Sequence, residues 1–201
     1  PVLRNISNVQ ADPIRDFLTE CSERVLDQSL VLLKRNAGHY IRVGDENIYD
    51  LSYLNTNTYN PNDVLKRQIS DDIKFELETN CDLSVFGQQY DLQIGDIFVD
   101  TDINLHNLIV VIDYPITLTK GGSSINLGKI EIIEEDDFGI MNEVAGKIVN
   151  EGDEFDLSTW KENSIFKGEE IDVTRNNVRE GTVYIITTPF DEERYAFILE
   201  E

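Results

Sequence analysis

Basic residues are scarce in this sequence: 17 Lys and Arg stand against 39 Asp and Glu, which gives a formal net charge of -22 at pH 7. Binding to nucleic acid or to an anionic bilayer depends on Lys and Arg side chains that displace counterions. The charge therefore excludes nucleic acid as an expected partner. The sequence also lacks any apolar run approaching the roughly 20 residues that a membrane-spanning helix needs, so we expect no membrane span within it.

Cysteine and histidine are also scarce, with two of each. Two cysteines cannot complete a four-ligand zinc site alone, and the histidines lie far from them in sequence. The chain has no Gly-x-Ser-x-Gly elbow. The segment Lys120–Ser124 leads into a predicted strand, whereas a phosphate-binding loop leads into a helix. Among so many acidic residues some pair will always show glycosidase spacing, so we assign no catalytic residue and expect a non-catalytic protein without a required cofactor.

What the sequence does have is enough apolar residues for a core, since 40% of it is hydrophobic. Asp12 and Pro13 are a helix-start pair. After them apolar residues recur at three- and four-residue spacing as far as Leu33. A second amphipathic pattern runs from Asn62 to Asn80. The sequence therefore predicts two long amphipathic helices.

The second half of the chain alternates apolar and polar residues, with many β-branched side chains, as is typical of strands. Two long runs, Leu108–Leu118 and Ile125–Ile133, flank a predicted hairpin turn at Gly121–Ser124. Short helices are predicted near residues 137–150 and 156–162. The predicted fold class is α+β, with two long N-terminal amphipathic helices packed on a mainly antiparallel sheet.

The two cysteines lie on the apolar sides of the two predicted helices. Cys21 follows Leu18 by three residues, and Cys81 follows Leu77 by four. Helices packed side by side bring such thiols within bridging distance, and a bridge closing about 60 residues stabilises a fold by roughly 4 kcal/mol in the chain-entropy model. The alternative is two buried free thiols. A disulfide favours an oxidising compartment outside the cytoplasm, and the sequon at Asn5 agrees with that location.

Two further segments are candidate contact sites. Asp100, Asp102 and Asn104 match the opening of a calcium loop, although later positions exclude an EF-hand, which leaves a candidate calcium site of another type or a solvated turn. The polar loop between residues 55 and 62 is expected to present Tyr53 and Tyr59 as a binding loop.

Residues 1–11 are predicted to form an extended segment before a single α+β domain at residues 12–201. Apolar residues among the polar ones of this segment suit a strand that adds to the sheet edge of a neighbouring copy, and the predicted strand at 195–199 is a second candidate. The predicted assembly residues are Val2, Leu3, Ile6 and Val9.

Several motifs resemble the opening of a group of archaeal cell-surface proteins that are frequent in small-genome lineages. They are Phe17–Cys21, which fits a Phe-x-x-x-Cys signature, and Leu33–Ile41, which resembles a turn ending in Gly-Gly-Tyr-Ile. The similarity continues at Asn80–Leu83 and at Asp113–Leu118, and it covers about residues 13–150.

The chain departs from that group at Lys34–Gly38, where the group has Gly-x-Gln-Gly-Gly, and His39 follows in place of a direct Tyr. No activity is established for the group, so the resemblance implies a location and not a reaction. It implies an ectodomain outside the membrane, a Cys21–Cys81 bridge and an anchor upstream of Pro1.

Together these features predict an extracellular structural or adhesive protein of the cell surface that forms homo-oligomers or polymers, as a filament or lattice, by inserting a terminal strand into a neighbour. One alternative is a monomeric ectodomain that recognises a host surface or a small ligand. Another is a metal-assisted hydrolase that uses the acidic loops.

Overall fold

A computed structural model describes residues 11–40, 51–162, 170–178, 181–189 and 194–199, and it leaves the side chains of Tyr53 and Lys161 undescribed. None of the helices in these ranges is long and apolar enough to cross a bilayer. The predicted assembly residues and the sequon lie outside the described residues: Val2, Leu3, Ile6, Val9 and Asn5.

The helices follow the amphipathic patterns closely. Their bounds are α1 Asp12–Arg35, α2 Asn62–Thr79, α3 Phe138–Glu151 and α4 Leu157–Glu162. Helix α1 ends where Ala37 and Gly38 take φ values of 51° and 82°, and the Gly38 N–H donates to the carbonyl of Leu33 at 2.7 Å. Glycine adopts this left-handed conformation at little cost, so Gly38 provides the end of the helix.

The strands of the described ranges form three sheets, whereas one sheet was predicted. Their orders are β1-β10-β9-β8, β2-β5-β6 and β3-β4-β7. Strand β9 pairs antiparallel with β10 and β8, and β5 pairs antiparallel with β2 and β6, whereas β1 and β10 are parallel. The strand bounds are β1 Ser52–Leu54, β2 Asp91–Ile94, β3 Phe98–Ile103, β4 Asn107–Asp113, β5 Ile116–Lys120, β6 Ser123–Asn126, β7 Ile130–Glu135, β8 Asp172–Val178, β9 Gly181–Thr187 and β10 Tyr195–Leu199.

The prediction of single strands at 108–118 and 125–133 was wrong, because each run divides into two strands. The first divides at Pro115, which lacks the N–H that a ladder needs. The second divides before Ile130, near Gly128. The hairpin turn between them is confirmed: Lys120 pairs with Ser123 across the two glycines, which both have positive φ.

Contacts divide the chain into two compact units, each made of discontinuous segments. The first unit comprises residues 1–27, 67–102 and 109–133, of which the structure describes those from 11 onward. Its core includes buried positions of α1 and α2 at helical spacing, among them Leu18 and Ile73. A disulfide joins Cys21 to Cys81, with their Cα atoms 6.3 Å apart. The bridge is therefore present, and the alternative of two free thiols is excluded.

The second unit comprises residues 28–66, 103–108 and 134–201. Helix α3 packs against β9 and β10, and most of its side chains are buried. Strand β10 lies between β1 and β9, with Phe197 paired to Ser52 on one side and to Tyr184 on the other. Because both edges of β10 are paired within the chain, this strand is not available for insertion into a neighbour.

Candidate functional site

A polar site of the second unit forms where the turn between β3 and β4, residues 104–106, lies on the first turn of α3. The carbonyl of Leu105 accepts the Ile140 N–H at 3.2 Å, and the carbonyl of His106 accepts the Asp136 N–H at 3.0 Å. The first N–H groups of a helix have no partner within the helix. The turn between β3 and β4 therefore supplies a hydrogen-bond acceptor for the start of α3, and the same hydrogen bonds fix the turn against the helix.

Gly139 makes this close approach possible. A Cβ atom placed at residue 139 would lie 1.9 Å from the carbonyl oxygen of Asn104. Atoms at that distance overlap severely, so any side chain here would push the turn away from the helix.

Two adjacent acidic residues at the start of α3 each have a basic partner. Asp136 accepts a hydrogen bond from the Phe138 N–H at 2.6 Å and forms an ion pair with Lys34 Nζ, also at 2.6 Å. Asp137, which is buried, has its Oδ1 2.7 Å from Nδ1 of His106. The imidazole is 45% exposed, so Asp137 fixes the orientation of a ring that solvent still reaches.

Asn142 on α3 is the centre of a buried hydrogen-bond network. Its Oδ1 accepts from the Tyr195 hydroxyl at 2.7 Å. Its Nδ2 donates to the Asn60 carbonyl at 3.1 Å and to Asn62 Oδ1 at 2.8 Å. Asn142 is fully buried, and a buried amide is tolerated only when its donors and acceptors are satisfied. The network thereby joins α3 to β10 and to the loop before α2.

Tyr59, predicted as a contact residue of a binding loop, lies in this network. Its hydroxyl donates to the Asn142 carbonyl at 3.0 Å, and the ring lies so close to Gly146 that a Cβ there would be 2.5 Å from the hydroxyl oxygen. Burial raises the pKa of Tyr59, and the carboxylates of Glu143 and Asp63 raise it further. The hydroxyl is thus protonated at neutral pH and anchors the loop to α3, while a binding role for the loop stays a prediction.

An open cleft of about 490 Å³ lies beside this network. Its lining contains three asparagines, His106 and the side chains of Ile103 and Leu105, but no carboxylate. Amides and an imidazole offer both donors and acceptors without a net charge when the imidazole is neutral. The polar side chains of the cleft are thus three amides and the half-exposed His106 imidazole.

The predicted calcium ligands do not come together as a set of metal ligands. Asp100 and Asp102 are exposed on β3, and Asn104 Nδ2 donates to Asn107 Oδ1 at 2.8 Å. Within the described ranges, no group of three or more His, Cys, Asp or Glu side chains is placed to hold a metal ion. Calcium binding stays a prediction that this geometry does not support.

A second candidate site is the surface of the first unit that we call the outer face, formed by outward residues of β3, β4 and β7. Phe98 and Ile133 are 67% and 58% exposed on the two outer strands. The central strand contributes half-buried Ile109 and Val111. Exposed acidic residues alternate with them on the same outward rows of β3 and β7, so the outer face presents both apolar and acidic side chains.

Sequence reasoning missed His106, Asp137 and Asn142. The first two are 31 residues apart, and no local pattern joins them. Asn142 did carry a signal, because it is a polar residue inside the apolar run of α3, between Met141 and Val144.

Comparisons with models of known protein families, with curated proteins and with solved structures found no match to this chain. They neither assign a family nor bear on the resemblance to archaeal cell-surface proteins, which stays a prediction. The class that the structure defines is an α+β protein with one disulfide.

Proposed function

We propose that this chain is a non-catalytic, extracellular structural or adhesive protein of the cell surface. Copies of it assemble into a filament or lattice when residues Pro1–Val9 of one copy insert as a strand beside a sheet of the next. The observation that carries this proposal is the outer face, which presents apolar side chains next to a sheet edge. Among the described residues, every large exposed apolar side chain except Leu32 belongs to the first unit.

The disulfide supports the extracellular part of the proposal. Cytosolic proteins of most organisms keep their thiols reduced, whereas secreted and surface proteins form stable disulfides. Both cysteines are almost fully buried, and both are used in the bridge. Neither cysteine is therefore available as a nucleophile, which removes the cysteine-based argument for an enzyme.

The pairing of β10 supports the amino-terminal segment as the inserted strand. Of the two terminal segments that the sequence offers as donors, Tyr195–Leu199 is already paired on both sides. An open sheet edge binds an extended segment through main-chain hydrogen bonds, and alternate side chains provide the specificity. Residues Pro1–Val9 carry four apolar side chains among polar ones that can make such contacts, at Val2, Leu3, Ile6 and Val9.

The test is the assembly state of the full chain, measured by light scattering after size exclusion and by electron microscopy. We expect polymers from the wild type and monomers from a variant lacking Pro1–Val9 that keeps the wild-type circular dichroism. A Val2→Asp and Ile6→Asp double variant should also be monomeric. Its matched control, Asn5→Asp with Asn8→Asp, adds the same charge but keeps the apolar side chains, so it should still assemble. A monomeric wild type across salt concentrations would refute the proposal.

The net charge adds a second expectation. Copies this acidic repel one another, and salt or divalent cations screen that repulsion. We therefore expect chelation and low salt to weaken the assembly.

The cleft beside His106 favours a second candidate function, an ectodomain that binds a small ligand. Ligand-detected NMR with neutral mono- and disaccharides would test it, with His106→Ala as the variant that should lose binding. A wild type that binds none of them, or a variant that binds equally well, would refute it.

A further inference from the structure

Among the described strands, β3 lies at one edge of the β3-β4-β7 sheet. Its residues alternate between two environments, as a strand requires. Thr101 and Ile103 face inward and are buried, and Thr101 Oγ1 accepts a hydrogen bond from Ser70 at 2.9 Å. Phe98 and Asp100 are exposed on the other side. The outward row of this edge therefore places an apolar ring two residues from a carboxylate.

The other open edges offer less to an apolar strand. Strands β2 and β6 are only four residues long, and β1 only three. Strand β8 is seven residues long, but its exposed residues are polar. Strand β7 exposes Ile133, which is less exposed than Phe98. The edge of β3 thus combines sufficient length with the most exposed apolar side chain of the described residues.

The amino-terminal segment has a complementary pattern. In an extended strand Val2, Arg4 and Ile6 share one side, because side chains alternate. No acidic residue precedes Asp12 in the chain. The segment thus offers a basic residue between two apolar ones, in a protein that is otherwise strongly acidic.

We propose that the edge of β3 in one copy accepts residues Pro1–Val9 of a second copy as an added strand, with Arg4 opposite Asp100. This inference rests on the proposed function and names its acceptor site. The match holds in both strand directions. Phe98 is two residues from Asp100, and Val2 and Ile6 are each two residues from Arg4. When Arg4 is opposite Asp100, one strand direction therefore places Val2 beside Phe98 and the other places Ile6 there.

Charge reversal tests the pairing in the full chain. Arg4→Asp and Asp100→Arg each place like charges opposite one another, which costs several kcal/mol at an interface, so each variant alone should assemble at least about tenfold more weakly. An equimolar mixture of the two variants restores both opposite-charge pairs between copies and should assemble like the wild type. Asp172→Arg makes the same charge change on the edge strand β8, and it should leave assembly unchanged.

The outcomes separate this inference from the proposed function. Normal assembly of Asp100→Arg would place the acceptor away from β3 and overturn the inference alone, whether or not Asp172→Arg assembles. If assembly recovers only when both charge reversals are in one chain, Arg4 pairs with Asp100 of its own copy. That result would overturn both this inference and the proposed function. If Asp100→Arg does not fold, Phe98→Ser replaces it: loss of assembly supports β3, and normal assembly overturns the inference.

Discussion

Removing the disulfide should cost the first unit a large part of its stability. The bridge joins residues 60 apart in sequence, and closing a loop of that length lowers the entropy of the unfolded chain by an amount worth about 4 kcal/mol at 25 °C. Domains of this size are stable by only about 5–15 kcal/mol. We therefore expect Cys21→Ala with Cys81→Ala to lose about 4 kcal/mol in free energy of unfolding, slightly more if the small buried volumes stay empty.

The assay is urea denaturation followed by far-ultraviolet circular dichroism, because helices α1 and α2 both contribute to that signal. The control is the wild type unfolded with and without a reducing agent: the reduced wild type should match the double variant, and the oxidised one should unfold at higher urea. A double variant within about 1 kcal/mol of the oxidised wild type would refute the loop-closure reasoning, since that model requires about four times as much.

Three further expectations concern the second unit and are measured by thermal or urea denaturation. Asn142→Ala should cost about 1–3 kcal/mol because it leaves the Tyr195 hydroxyl and the acceptors on Asn60 and Asn62 without this partner. In a double-mutant cycle with Tyr195→Phe, only the part of the cost due to the Tyr195 bond should disappear, and strictly additive effects would contradict that bond. Gly139→Ala should destabilise because its Cβ overlaps Asn104, while an unchanged melting temperature would contradict the close approach. Burial lowers the pKa of His39 below 6.5, so this side chain binds a proton more weakly in the folded chain than in the unfolded one. The free energy of unfolding should therefore fall as the pH drops below about 6.5, and His39→Gln should remove that part of the pH dependence.

The helices and the disulfide were predictable because their signals are local. Pro13 and Gly38 mark the two ends of α1, and apolar spacing fixes which side of each helix is buried. Cys21 lies on the buried side of α1, whereas Cys81 is buried two residues beyond the end of α2 and not on that helix as predicted. The packing of the two helices was still enough to suggest the bridge.

The division into three sheets was not predictable from the same patterns. Alternation shows that a segment is a strand, but it does not show which strand is its neighbour, because pairing depends on residues far apart in sequence. The candidate site was missed for the same reason. His106 and Asp137 come together only when the β3–β4 turn lies on α3, and the feature that permits this contact is the missing side chain of Gly139.

The central position of β10 affects how the second unit can be made. Strand β1 is synthesised about a hundred and forty residues before its partner, since Ser52 pairs with Phe197, and such distant contacts slow folding. Until residues 195–199 leave the ribosome, β1 and β9 both have an edge without its native partner. The sheet of this unit is therefore completed after translation of nearly all the described chain, and a chain that ended before Tyr195 would expose two open edges and tend to aggregate.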